Sequence, residues 1–279
     1  MEINEKCKNL IGIPQFVEIP TKELFEVLSS KVLFEARWGF SKGNLSDEEY
    51  KSIIDNKAKP ALEMLKKQEE TSPVIECKAV YGFFVCKSKG NKITVSDSNN
   101  QEIVFDFPRQ EKEPYLCIAD FIRQSSTVNP LSQQADSSPT IREGASSGEN
   151  AFAIVPFFAV TLGSKIIEAE KRLFEENSYY NYHLLHGLGA EMADCGAQCV
   201  HKRIRDEYFQ LFPKLEKTKG CRFSFGYPSC PELSEQKKLF DLLNPSKIGL
   251  TLTNSYQMVP ELSVSGFILF NKKAKYFVP

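Results

Sequence analysis

The residues with the most evident capacity for chemistry lie in the run Arg222-Phe-Ser-Phe-Gly226-Tyr227-Pro228-Ser-Cys-Pro231. Arg222 offers a rigid fork of donors that matches a carboxylate. Gly226 permits backbone angles and close approaches that a Cβ would block. Tyr227 supplies a flat apolar face with a polar tip. Pro228 and Pro231 stiffen the exit and remove two backbone donors. Such a set can hold a small molecule with an acid at one end and an aromatic base at the other. The same run also reads as a plain turn.

Other reactive types are sparse. Eight cysteines are scattered without a Cys-x-x-Cys pair, a usage that points to reduced thiols. Cys195 and Cys199 stand at helical i,i+4 spacing, but the three histidines complete no standard metal set with them, so core packing is the simpler reading. No nucleophile with a companion base is apparent. Glu191, Asp194, Gln198, His201 and Arg205 form a polar stripe on one long helical segment. It is either a solvated face or one wall of a cleft.

The elements that must position these residues follow from periodicity. Thr21 to Arg37 reads as a helix. Ser46-Asp-Glu-Glu49 has the form of a capping box and opens a second helix to about Lys67, with a kink or break expected at Pro60. Val74–Cys86, Lys92–Ser96 and Glu102–Phe107 read as strands of an antiparallel meander. Tyr115 to Ile122 is a further apolar segment. Residues 124–150, rich in Ser, Gln, Gly and Pro, are expected to be a flexible insertion. Ala151–Leu162 reads as a central strand. Lys165–Glu176 and about Tyr180–Phe209 are helical, the latter with an apolar stripe through Leu184, Leu188, Met192, Cys195 and Cys199. Glu235–Leu243 is a short helix, and Ile248–Thr253 and Ser263–Phe270 are strands. Gly266 inside the last marks either a bulge or a close approach. The expected fold is α+β, a twisted antiparallel sheet flanked by long helices, within one domain spanning residues 1–279 whose first part, 1–72, is helical.

Composition is that of an ordinary globular chain: 42% hydrophobic and 25% charged over 279 residues, with a formal net charge of −1. A near-neutral balance gives no electrostatic case for nucleic acid. No apolar run approaches the ~20 residues of a membrane helix. Met1-Glu-Ile-Asn-Glu-Lys lacks a signal-peptide core, so a cytoplasmic location is expected.

The opening run also resembles a family signature. Arg222-x-x-x-Gly226-Tyr227 followed by Pro228-x-Cys230-Pro231 resembles the activation domain of cobalamin-dependent methionine synthase, a domain that binds S-adenosylmethionine. Phe158-Ala-Val-Thr-Leu-Gly163 is similar to that family's Phe-Ala-Val-Thr-x-Gly strand, and His201-Lys-Arg-Ile-Arg205 to its His-x-Arg-Val-Arg helix end. Tyr115-Leu-Cys-Ile-Ala-Asp-Phe121, Ser263-Val-Ser-Gly266 and Lys275-Tyr276 follow the family order. The matches run from about Val80 to Val278.

The resemblance implies a set of roles. Arg222 would take the carboxylate of S-adenosylmethionine, and the backbone around Ser224, Gly226 and Tyr227 would lie against the nucleoside. Glu216 and Asp194 would offset the ligand's positive charge, and Tyr276 would stand near the ribose. One position departs from the family. Aligning on Trp38 and Lys42-Gly43 puts the family's ammonium-binding aspartate near Ser30, beside Lys31, with Glu26 and Glu35 as the nearest carboxylates if the register shifts. The chain also lacks an Asp-x-His-x-x-Gly stretch to hold cobalt, so cobalamin is expected only through a partner: a corrinoid-binding methionine synthase chain, with a flavodoxin-like protein as candidate electron donor. Three readings follow. The first is a stand-alone reactivation component working by reductive methylation. The second is a docking or assembly protein for a corrinoid methyltransferase that has lost S-adenosylmethionine binding. The third is an unrelated small-molecule enzyme on a reused fold.

Overall fold

The computed structural model describes residues 9–97, 101–123 and 151–279. The expected insertion at 124–150 lies outside these residues, as does most of the turn after Asp97. The chain opens on β1 (Gln15–Glu18), a strand its mixed composition does not announce. The helix expected over 21–37 is interrupted. α1 spans Thr21–Val27, Leu28 is extended at φ −60° and ψ 124°, and the Ser29 hydroxyl caps a restart by accepting the Val32 N–H. α2 (Ser30–Val32) runs on into a π-turn over Leu33–Arg37. Neither serine is a strong breaker, so tertiary packing decides: Leu33 and Phe34 are buried in the same core as Leu24.

The capping box at Ser46 forms with both of its hydrogen bonds and starts α3 (Asp47–Ile53). A π-turn over Ile54–Ala58 then leads into α4 (Lys59–Thr71), which carries Pro60 in its first turn. The expected disturbance at Pro60 takes the form of this widened turn, since proline has no N–H to continue the ladder. β2 (Lys78–Lys89), β3 (Lys92–Ser96) and β4 (Glu102–Asp106) make the expected meander. The Tyr115–Ile122 segment yields a short helix, α5 (Ile118–Arg123). β5 (Ala151–Thr161), α6 (Lys165–Glu175) and α7 (Tyr179–Leu211) follow. β6 (Cys221–Phe223) was not expected, and α8 (Gln236–Leu243) was.

The expected strand over 248–253 is corrected. Pro245–Ile248 is a 3-10 turn and Gly249 takes φ +79°, so only Thr251–Leu252 (β7) is extended. It pairs with Met258–Val259 (β8) in a separate two-stranded ribbon. β9 (Ser263–Leu269) does join the main sheet.

That sheet has the order β4-β3-β2-β5-β9-β6, with β1 on β2. Its ladders are all antiparallel. β5 lies in the middle and both sheet faces are covered, which is why its sequence is continuously apolar. Tyr81, Phe83, Phe158 and Val160 face the core under α1, α4, α6 and α7. Phe84, Phe157, Phe223 and Phe267 face a second core, closed by α5 and α8. Fully burying one such ring contributes about 1.5–3 kcal/mol.

Gly266 is resolved as a close approach. A Cβ there would stand 2.1 Å from the Phe223 carbonyl oxygen, in the neighbouring strand β6. Backbone cannot yield as a flexible side chain does. Gly266→Ala should therefore destabilise the protein by about 1–3 kcal/mol or more in urea unfolding. A change within ~0.5 kcal/mol would contradict this packing.

Candidate functional site

The site is built on β6 and the turn after it. Arg222 pairs with Ile268 of β9, which fixes where its side chain leaves the sheet edge. The loop before β6 is tied to α7, because His201 Nε2 lies 2.8 Å from the Lys219 carbonyl oxygen. Burial holds the His201 ring below the usual imidazole range, with the Arg222 and Arg205 charges acting in the same sense.

After Phe223 the chain makes a tight turn. Gly226 takes φ +86°, and its N–H donates to the Cys230 carbonyl at 3.0 Å. The Cys230 N–H donates to the Tyr227 carbonyl at 2.9 Å. Ser229 then clips the C-terminal segment to the turn: its hydroxyl donates to the Phe277 carbonyl at 2.6 Å and accepts the Phe277 N–H at 3.0 Å. The Tyr276 hydroxyl donates to the Arg222 carbonyl, and its ring packs against Phe223 at 5.4 Å between centroids.

These elements enclose a cavity of about 570 Å³ between α7, β6, the first turn of α8 and the C-terminal segment. Five of the seven residues singled out from sequence line it: Asp194, Arg222, Ser224, Tyr227 and Tyr276. Gly226 shapes the turn above it. Glu216 is not in the lining; its exposed carboxylate pairs with Lys272. The polar stripe of α7 thus forms a cleft wall at Asp194. Ser229 and Cys230 of the same run also line it, without a role assigned from sequence, and sequence reasoning missed Gln236 and Met258. Gln236 is held from both ends, accepting from Ser265 Oγ at 2.8 Å and donating to the Tyr256 carbonyl at 2.9 Å.

Charge in the cavity is uneven. Among the described residues Arg222 has no ion-pair partner, so its fork is free for an anion. Asp194 is engaged: its Oδ2 accepts from Arg37 Nη2 at 2.7 Å, while Arg37 Nε donates to Glu191 Oε2 at 3.2 Å. Arg37 was not anticipated. It ends the π-turn, next to Trp38, whose indole N–H donates to the Leu184 carbonyl of α7 at 3.0 Å. Of the carboxylates nearest the missing aspartate, Glu35 accepts the Tyr50 hydroxyl at 2.8 Å.

The arrangement suits binding. Tyr227 and Tyr276 expose their rings at the rim, and Phe223, Phe225 and Phe277 add apolar wall. A cavity of this size, mostly apolar with a few convergent polar groups, is typical of small-molecule sites. Its one thiol, Cys230, donates to the Ser224 carbonyl and is pushed up to about 12 by burial, which leaves it a poor nucleophile. Among the described residues no cluster of three or more His, Cys, Asp or Glu is placed to hold a metal ion. No described helix is long and apolar enough to cross a membrane.

Comparison with known proteins bears on the family and the fold. The family model described as vitamin B12 dependent methionine synthase, activation domain, matches residues 21–278. The methionine synthase of Mycobacterium tuberculosis is 31% identical over 277 residues, covering 90% of this chain and 21% of the relative. That of Mycobacterium leprae is 31% identical over 276 residues, with the same coverage of 90% and 21%. The chain therefore spans about a fifth of the length of these relatives. A crystal structure of the MetH reactivation domain bound to AdoHcy superposes with a TM-score of 0.71 at 24% identity, covering 95% of this chain and 81% of that one, which establishes the shared fold.

Thiol accessibility tests the site's packing. Cys77 and Cys230 are buried with thiols pushed up to about 12, whereas Cys199 and Cys221 are half-buried. Of the described cysteines, iodoacetamide at about pH 8 should modify Cys199 and Cys221 first and reach Cys77 and Cys230 only on unfolding. Peptide mapping that finds Cys230 modified first in the native protein would contradict the closed turn.

Proposed function

The chain belongs to the activation-domain family of vitamin B12 dependent methionine synthases, and from that premise we propose that its cavity binds S-adenosylmethionine for reductive methylation of a corrinoid. The observation that carries this reading is the Arg222 fork, without an ion-pair partner among the described residues, in a cavity of about 570 Å³ with tyrosine rings at its rim. Binding of AdoHcy, the demethylated counterpart of S-adenosylmethionine, by a protein of the same fold supports it.

Each residue then has a task. The Arg222 guanidinium holds the ligand carboxylate through two charge-assisted hydrogen bonds. The turn at Ser224, Gly226 and Tyr227 brings backbone against the nucleoside, and Tyr276 stands toward the ribose. Asp194 is the carboxylate in reach of the ligand's cationic groups. Glu216, paired with Lys272 outside the lining, takes no part. When bound, S-adenosylmethionine supplies the methyl group, and the acceptor and its redox chemistry belong to the corrinoid. The protein's contribution is to fix the sulfonium at the open side of the cavity, where a partner can face it in line.

That partner is the corrinoid-binding part of a methionine synthase, and we propose that this chain reaches it in trans, with a flavodoxin-like protein as electron donor. Covalent linkage normally gives a millimolar-scale effective concentration, which a real interface around the cavity mouth must replace. A second reading, a docking protein without ligand binding, is favoured by one observation: Asp194 is already paired with Arg37.

Calorimetry separates the two. S-adenosylmethionine should bind the wild type, and Arg222→Ala should weaken binding by roughly 2–4 kcal/mol. Unchanged binding would remove Arg222 from the site. The protein, S-adenosylmethionine and a reduced electron carrier should together restore an oxidised methionine synthase that lacks its own activation domain. A complex that forms without rescue would favour the docking reading.

A further inference from the structure

Among the described residues, the charged side chains lining the cavity are Asp194 and Arg222. Asp194 is the lining's acid, and a residue behind the wall already holds it. Arg37 bridges two carboxylates on successive turns of α7, reaching Asp194 at 2.7 Å and Glu191 at 3.2 Å. The bridge is anchored on its inner side. The Glu191 side chain is only 8% exposed, so the guanidinium is its counter-charge and cannot leave without stranding a buried carboxylate. Asp194 is 47% exposed and is the arm that faces the cavity. The backbone is held as well, since the neighbouring Trp38 ring lies against Gly187, where a Cβ would stand 2.6 Å from it.

The charge balance follows. With Asp194 neutralised, the cavity presents the Arg222 cation and a second guanidinium behind its wall. It suits the anionic end of an amino-acid ligand and opposes the cationic end. We propose that Arg37 is a specificity-determining residue that weakens the hold of this site on the ammonium and sulfonium charges of S-adenosylmethionine. It makes affinity depend on the nucleoside and carboxylate. This inference rests on the S-adenosylmethionine reading of the cavity. A site tuned in this way favours release over retention, as suits a component that hands on its ligand's methyl group.

The test is calorimetric titration with S-adenosylmethionine and with 5′-methylthioadenosine, an uncharged nucleoside that lacks the amino-acid tail. The variant Arg37→Gln with Glu191→Gln removes the bridge while leaving no buried charge unpaired. It should bind S-adenosylmethionine about tenfold tighter than wild type, the size expected for uncovering one partly exposed counter-charge. Adding Asp194→Asn should abolish that gain, and the affinity for 5′-methylthioadenosine should stay within about twofold throughout. Arg37→Lys keeps a cation for Glu191 but has no second arm for Asp194. It should shift binding in the same direction and serves if the double variant does not fold. Equal or weaker binding of S-adenosylmethionine by folded Arg37 variants would overturn the role of Arg37 and leave the proposed function standing. If neither nucleoside binds wild type or variants, the S-adenosylmethionine reading falls and this inference with it.

Discussion

Three glycines on α7 let side chains from three directions reach its backbone, and the architecture depends on that closeness. Trp38 lies over Gly187, Leu262 and Ile166 over Gly189, and Val160 and Cys77 over Gly196; a Cβ at any of them would come within 2.9 Å of a neighbouring side-chain atom. A 33-residue helix thereby settles directly on β5 and receives the N-terminal π-turn on its other side. Its position in turn fixes three things at the cavity. It sets Asp194 in the wall, brings Glu191 and Asp194 within reach of Arg37, and places His201 where it holds the Lys219 carbonyl ahead of β6. Glycine costs helix propensity, about 1 kcal/mol each relative to alanine, so close packing must offset it here.

Much of this was legible in the sequence wherever one element carries its own signal. The meander shows the period and turn residues of β2, β3 and β4. β5 shows an unbroken apolar run because both its faces are covered. The capping box at Ser46 is local chemistry and forms as written. What escaped is what tertiary contact decides. β1 is four residues of mixed polarity that exist as a strand by pairing with β2. β6 is three residues held by β9. The break at Leu28 involves neither proline nor glycine. The 248–253 segment has strand-like residues, yet Gly249 at positive φ leaves room for only two of them.

The site divides in the same way. Arg222, Ser224 and Tyr227 belong to one run, and Tyr276 follows the family order, so they could be named together and they do converge. The resemblance implies a role for Glu216, but its carboxylate lies outside the cavity lining and pairs with Lys272 on the surface. Arg37 was invisible because its partners lie 154 and 157 residues away and an arginine beside a tryptophan carries no local signal. The one available hint was the pair of acids, Glu191 and Asp194, three apart on a stripe with little cation to balance them. A buried carboxylate on such a stripe asks for a counter-ion from elsewhere in the chain.

The central claim is that the cavity between α7 and the turn after β6 receives an amino-acid nucleoside with its carboxylate on Arg222. A crystal structure of the protein grown with S-adenosylmethionine tests it most directly. The account predicts the ligand in this cavity, its carboxylate on the Arg222 fork and its nucleoside against the Ser224–Tyr227 backbone. A ligand bound elsewhere, or one seated here with Arg222 turned away from its carboxylate, would contradict it.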